Sequence, residues 1–280
     1  MTTSWRPLRD IDPASLRAAR VHAHHATQWV ARAARAYIPA RPDDHHTNLG
    51  WDDAWGGLVT HPLPDGGRLG LRIADLTLVL LDSSARKPAD SLALDGRRDA
   101  DARDWLARHA HARGLDPHAL GAVLPYPLPA PALARGGAYM AAALAQPLAE
   151  LAIWFSNANG TLAAIRQWLA TTQDINAPPA RCWPHHFDLD TLVTLAPGRT
   201  TGIGFEPGDE HYDEPYFYVS LYPVPDLATL PPLPAVAHWH TKHFTAAIAP
   251  AHRILAVNDQ GAEVAAFLQA TVEAAIVALR

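Results

Sequence analysis

"WDDAWGGLVTHPLPDGGRLGLRI", residues 51–73, and "WPHHFDLDTLVTLAPGRTTGIGF", residues 183–205, can be laid on one another without a gap. Trp51 meets Trp183, Trp55 meets Phe187, and Gly70 meets Gly202. "LVT" recurs at 58–60 and 192–194 when a two-residue slip is allowed. Each stretch carries a turn signal, "PDGG" in the first and "APGRT" in the second, where glycine, proline and aspartate supply turn dihedrals. Strands are therefore expected at 57–63, 68–73 and 76–82 in the first half. In the second half they are expected at 186–195, 201–205 and 215–222.

Helices flank these strands. Asp12-Pro13 reads as an N-cap followed by a proline in the first turn. Leu16, Ala19, Ala23, Ala26, Val30, Ala33 and Tyr37 then follow at helical spacing, and Pro39 stops the run. A second helix is expected at 101–113. An alanine- and leucine-rich one follows at 136–171, kinked or divided by Pro147. The last, at 259–279, carries an apolar stripe of Val264, Phe267, Leu268, Thr271, Val272, Ala275 and Leu279. The pattern reads as α+β: antiparallel sheets covered by the helices at 13–37, 136–171 and 259–279, in one domain over 1–280. Two similar halves, 13–113 and 136–280, point to duplication with a pseudo-two-fold, against a chance match of two α+β segments.

With 280 residues, 49% of them apolar, the chain can bury a large core. Charged residues make up 18%, the formal net charge is −5, and no basic stripe is present, which argues against nucleic acid as a partner. No apolar stretch is read as reaching the about 18 residues of a membrane span. The first residues lack the apolar core of a signal peptide. Cys182 is the single cysteine, so no internal disulfide can form, which suits a reducing cytosol. The 25 prolines cluster at 123–133 and 222–234, expected as extended surface connections. Sixteen histidines make chance histidine patterns common.

Three segments carry chemistry-bearing residues. In "CWPHHFDLD" (182–190), strand alternation would put His186 and Asp188 on one face, supplying adjacent ligands for zinc, iron(II) or manganese. The alternative is a surface or capping pair. In "GFEPGDEHYDEPYFYV" (204–219), five acids and His211 crowd one loop. Most read as solvated. Asp209 and Glu210 are the exceptions, because they follow the strand that should pair with 186–195. In "HWHTKHF" (238–244), His238 and His240 share a face if the stretch is extended, with Trp239 turned into the core. His186, Asp188 and His240 resemble the two-histidine, one-carboxylate triad of non-haem iron oxygenases, and Arg253 lies where such enzymes place an arginine for a carboxylate cosubstrate. "HAHH" (22–25) reads as a solvated helix face rather than a metal pair. Asn157 and Asn159, late in a helix where asparagine is disfavoured, either cap or bend it or turn toward a pocket. Cys182 reads as a buried small hydrophobe. No P-loop, dinucleotide glycine fingerprint or nucleophile elbow is present.

"RCWPHHFDLDTLVTL", "IGFEPGDEHYDEPYFYVSLYPVP" and "AHWHTKHFTAAIAP", in this order, resemble a bacterial family filed as a domain of unknown function. "HTNLGWDDAWGGLVTHPLPDGGRLGLRIADLTLVLLD" resembles its first half, so the likeness runs from about 20 to 280. Glu206 stands where the family would have serine. The resemblance implies a cytoplasmic bacterial protein whose signature segments come together, and it implies no activity. It favours His185, His186, Asp188, Asp209, Glu210 and Tyr216 over the scattered histidines.

These readings lead to two functional expectations. The first is a metal-dependent enzyme acting on a small molecule. His186, Asp188, Glu210 and His240 would hold one zinc or iron ion, with His185 or Asp209 as general base, for hydrolysis or iron-dependent oxygen chemistry. The second is a non-catalytic binding module, with Tyr216, Tyr218 and Trp239 lining a groove. Asn157 is the further substrate-binding candidate.

Overall fold

The computed structural model describes residues 5–83, 88–128, 131–226 and 230–279. Residues 129–130 and 227–229, inside the two proline-rich stretches, lie outside the described residues. The α+β reading holds, and both sheets are antiparallel. The chain divides into two compact units. One comprises residues 11–152 and 182–187; the other comprises 1–10, 153–181 and 188–280.

The first unit opens with α1 (Pro13–Tyr37). The Asp12 carboxylate accepts from Ser15 N at 2.9 Å, which satisfies one of the orphan donors of the first turn. The sheet follows as a meander in the order β1-β2-β3-β4-β5. Its strands are β1 (Gly50–Asp52), β2 (Gly57–Val59), β3 (Arg68–Arg72), β4 (Thr77–Leu81) and β5 (Pro88–Ala93). β1 and β5 are additional to the expected strands; β1 is only three residues long and β5 is largely exposed, so neither carries a strong alternation signal. α2 (Asp99–Ala112) follows, with Asp99 and Asp101 in its first turn, where the helix dipole favours acids. Tyr139 N then donates to Arg97 O at 2.8 Å.

The one-turn helix α3 (Pro131–Ala134) begins inside the first proline-rich stretch, which reads as extended in the sequence. The long helix α4 (Ala145–Thr172) begins later than the expected residue 136, and Pro147 neither kinks nor divides it. Pro147 sits in the first turn, where no N–H is needed.

The second unit holds a sheet in the order β10-β11-β9-β8-β7-β6. Its strands are β6 (Arg181–Trp183), β7 (Asp188–Ala196), β8 (Arg199–Glu206), β9 (Tyr216–Tyr222), β10 (His238–His240) and β11 (Ala246–Pro250). The division between the units falls within β6, after Arg181. β7 and β8 form the hairpin foreseen across "APGRT", with Leu192 opposite Gly202 and Asp190 opposite Gly204. α5 (Ala251–Leu255) and α6 (Gln260–Leu279) complete the unit. All seven stripe residues of α6 are buried. On one sheet face Phe205 and Phe217 meet Trp154 and Phe155 of α4, at ring separations of 5.3 to 6.3 Å. By length and composition α6 is apolar enough to cross a membrane, contrary to the reading that no stretch is. Its stripe is spent on the core of this unit.

The two Trp-containing turns share one hydrogen-bonding pattern. Asp52 O accepts from Trp55 N and Gly56 N, and Trp183 O accepts from His186 N and Phe187 N. In both, the last residue is left-handed, Gly56 at φ 59° and Phe187 at φ 71°. The geometric match therefore places Gly56 on Phe187, one residue away from the sequence overlay. Glycine takes this conformation freely, whereas phenylalanine there costs about 1–3 kcal/mol. Burial of the Phe187 ring, stacked on His24 at 5.1 Å, offsets that cost.

Gly204 has a different necessity. A Cβ there would lie 2.5 Å from Tyr218 Cζ and 2.6 Å from its hydroxyl. Gly204→Ala is expected to push the Tyr218 ring off its cross-strand seat and cost about 1–3 kcal/mol. Urea unfolding measures this, and a change below about 0.5 kcal/mol would contradict the assignment.

Candidate functional site

His185 and His186 occupy the turn before β7, and both are exposed. The strand begins only at Asp188, so His186 and Asp188 do not alternate along one strand as expected. The Phe187 φ of 71° breaks the extended run between them. The His185 ring lies 4.2 Å from that of His186 and 5.6 Å from that of Tyr126. Partial burial, and then the neighbouring His186, lower its pKa. No hydrogen bond among the described residues orients it as a general base.

The acids and tyrosines do gather on one face of the second unit's sheet, opposite the phenylalanine core. Period-two alternation places Asp188, Gly204, Glu206, Tyr216 and Tyr218 there. Tyr218 OH donates to Asp188 Oδ2 at 2.8 Å, and Tyr216 OH donates to Asp209 Oδ2 at 2.8 Å. Burial, with these carboxylates close by, raises the pKa of both phenols, which keeps them as donors. Asp209 Oδ1 also accepts from His211 N and Tyr212 N, each at 2.7 Å. Asp209 is thus the pin of its own turn, its carboxylate held by three hydrogen bonds. The Glu210 side chain is 87% exposed and 3.6 Å from His211. Glu214 anchors α5 by accepting from His252 N at 2.8 Å.

β10 places His238 and His240 on one side, as foreseen. The Tyr212 hydroxyl sits 2.9 Å from His238 Nε2 and 2.9 Å from His240 Nδ1. His240 Nε2 also contacts Lys242 O. Trp239 Nε1 donates to Pro231 O at 2.8 Å, and its ring packs against Leu221, Ala275 and Leu279. The binding-groove candidates Tyr216, Tyr218 and Trp239 are therefore each held by the protein's own groups. Asn157 clips the chain before α1: its side chain accepts from Arg6 N at 2.9 Å and donates to Arg6 O at 2.8 Å. Arg253 donates to Ala237 O at 2.8 Å, a backbone role rather than a cosubstrate clamp. Cys182 is fully buried, as read. Among the described residues no group of three or more His, Cys, Asp or Glu side chains could hold a metal ion, so the proposed ligands His186, Asp188, Glu210 and His240 do not form such a group.

A second constellation lies in the first unit. His22, His24 and His25 were read as a solvated helix face; all three are buried. α1 turns His25, Gln28, Trp29 and Arg32 toward one pocket, at the i, i+3, i+4, i+7 spacing of a single helix face. Asp99, Ala100 and Arg103 of α2 and Leu128 complete the lining of this pocket of about 160 Å³. Asp99 Oδ2 receives His25 Nε2 at 2.8 Å. Asp99 Oδ1 receives Trp29 Nε1 at 3.0 Å and Tyr139 OH at 2.8 Å. Burial works to raise the Asp99 pKa, but the His25, Trp29 and Tyr139 donors outweigh it, and the net shift is downward. His25 Nδ1 is buried and makes no hydrogen bond. Tyr126 OH, from the proline-rich stretch, donates to Gln28 Oε1 at 2.9 Å and ties that stretch to the pocket wall.

Next to this pocket, His24 Nε2 lies 2.8 Å from Pro184 O, and Gln28 Nε2 donates to the same oxygen at 2.7 Å. The "WPHHF" turn is thereby docked on α1. The sequence signal that could have found the pocket is "HATQWVAR" (25–32), in which four polar or aromatic side chains interrupt an alanine-rich helix at one-face spacing.

The chain matches a family of unknown function, DUF5996, over residues 198–279. That match contains the "PGDE…EPYFY" and "HWHTKHF" segments; "WPHHFD" and the first half lie outside it. No curated protein and no solved structure matches the chain.

Proposed function

We propose that the protein is an enzyme acting on a small molecule in the pocket between α1 and α2, and that the Asp99–His25 pair moves a proton there. The reading rests on one observation: an ionised carboxylate and a buried imidazole, hydrogen-bonded at 2.8 Å, both line a pocket of about 160 Å³. His25 Nε2–H is committed to Asp99, and the Asp99 side chain is the more exposed of the two, 29% against 3%. Asp99 is the member of the pair open to the ligand: it takes the substrate proton, and the His25 Nε2–H bond keeps the carboxylate oriented. Trp29 and Tyr139 hold the Asp99 carboxylate in place, so little reorganisation accompanies the transfer. The pocket is below the ~300–1,000 Å³ of sites for drug-sized ligands, which favours a substrate of few heavy atoms.

The test is deuterium exchange. Incubated in heavy water with a panel of small organic acids and their esters, the wild type is expected to exchange a substrate C–H, followed by proton NMR. His25→Gln is expected to slow this at least about 100-fold. Exchange at an unaltered rate in a folded His25→Gln protein would remove the proposal.

A further inference from the structure

Building on that pocket reading, we infer that the ligand carries a carboxylate or phosphate group and that Arg32 is its anchor, with Arg103 at the rim. Arg32 is half-buried. Its Nη1 donates to Ala122 O at 2.5 Å and more weakly to Leu120 O at 3.5 Å. Its guanidinium lies over the Trp29 ring, 5.6 Å from the ring centre. Among the described residues no carboxylate lies within ion-pair distance of it. A guanidinium has five N–H donors, so those on Nε and Nη2 remain for a bidentate acceptor.

The charge count of the pocket points the same way. Asp99 is the single acid among the lining residues, facing Arg32 and Arg103. Three donors already claim the Asp99 carboxylate, one from each of His25, Trp29 and Tyr139. The wall therefore presents excess positive charge beside a flat aromatic face, and a small planar carboxylate or a phosphate ester satisfies both. Arg103 reaches the neighbouring, exposed Asp104 at 3.1 Å, a surface pair that a ligand anion can displace at little cost. Arg32 holds the anionic end, and the Asp99–His25 pair meets the bond next to it through Asp99.

Nitrogen–proton NMR of the full chain tests this, with the Trp29 indole N–H as reporter, identified through Trp29→Phe. Inorganic phosphate and benzoate are the two probes; saturation by one and not the other separates phosphate from carboxylate recognition. At least one is expected to give a saturable shift in the millimolar range. Arg32→Gln should weaken it at least about tenfold. Retained anion binding without deuterium exchange would mean that the proton-transfer reading fails while this one stands. Lack of saturation by both probes, or equal affinity in Arg32→Gln, overturns the inference. Should Arg32→Gln unfold by circular dichroism, Leu128→Trp, which fills the pocket, takes its place. Probe binding as tight as in the wild type then overturns the inference.

Discussion

Acidification from pH 6.5 to pH 4 is expected to remove on the order of 3 kcal/mol of stability through His24 alone. Burial, only partly opposed by its hydrogen bond to Pro184 O, lowers its pKa from 6.5 to about 4. In the unfolded chain the imidazole takes up a proton near pH 6.5; in the folded chain it stays neutral down to about pH 4. Between those values the unfolded state binds more protons, so stability rises with pH across the window and falls on acidification. The full contribution is present above pH 6.5. His22, also buried and also lowered in pKa, acts in the same direction. Urea unfolding at a series of pH values measures the slope, and His24→Phe should flatten it. Phenylalanine keeps the stack on Phe187, and Gln28 still donates to Pro184 O. An equal slope in wild type and His24→Phe would show that His24 is not the group responsible.

Asp99→Ala is expected to cost about 3 kcal/mol or more, the largest effect of any single substitution in the pocket. One carboxylate is the acceptor for Trp29 Nε1, Tyr139 OH and His25 Nε2. Its removal leaves three donors without a partner in a part-buried setting, each worth about 1–3 kcal/mol when stranded, and these do not add in full. Asp99→Asn keeps one acceptor oxygen for Trp29 and Tyr139 but meets His25 with an amide, so an intermediate loss is expected. The acid limb supplies a second readout. The folded pKa of Asp99 is lowered, so its contribution is present above the unfolded value and disappears as the pH falls through the folded one. That part of the profile should be absent from Asp99→Asn. A cost below about 1 kcal/mol for Asp99→Ala would mean that the three donors find other partners.

Much of the fold was legible because its signals are local. The Asp12-Pro13 start, the "PDGG" and "APGRT" turns, the β7–β8 hairpin and the buried stripe of α6 each follow from residues a few positions apart. The misreadings have the same origin. Pro147 reads as an interruption because the sequence does not say that the helix starts only at Ala145. His186 reads as part of the strand because alternation alone does not reveal the left-handed Phe187 between it and Asp188. Asp209 looked free for chemistry, yet its three hydrogen bonds close its own loop.

The sequence by itself determined the α+β class, most element positions and the sharing of one side by His238 and His240, because backbone dihedrals and side-chain period are properties of short stretches. It could not determine which polar faces are covered. Asp99 meets His25 across 74 residues and Tyr139 across 40, and nothing in either neighbourhood announces the other. Only the tertiary structure decided that a histidine-rich turn of α1 is an interior wall rather than a wet surface. Burial depends on which other element packs against the helix, and that pairing is set by the whole chain's competition for apolar contact.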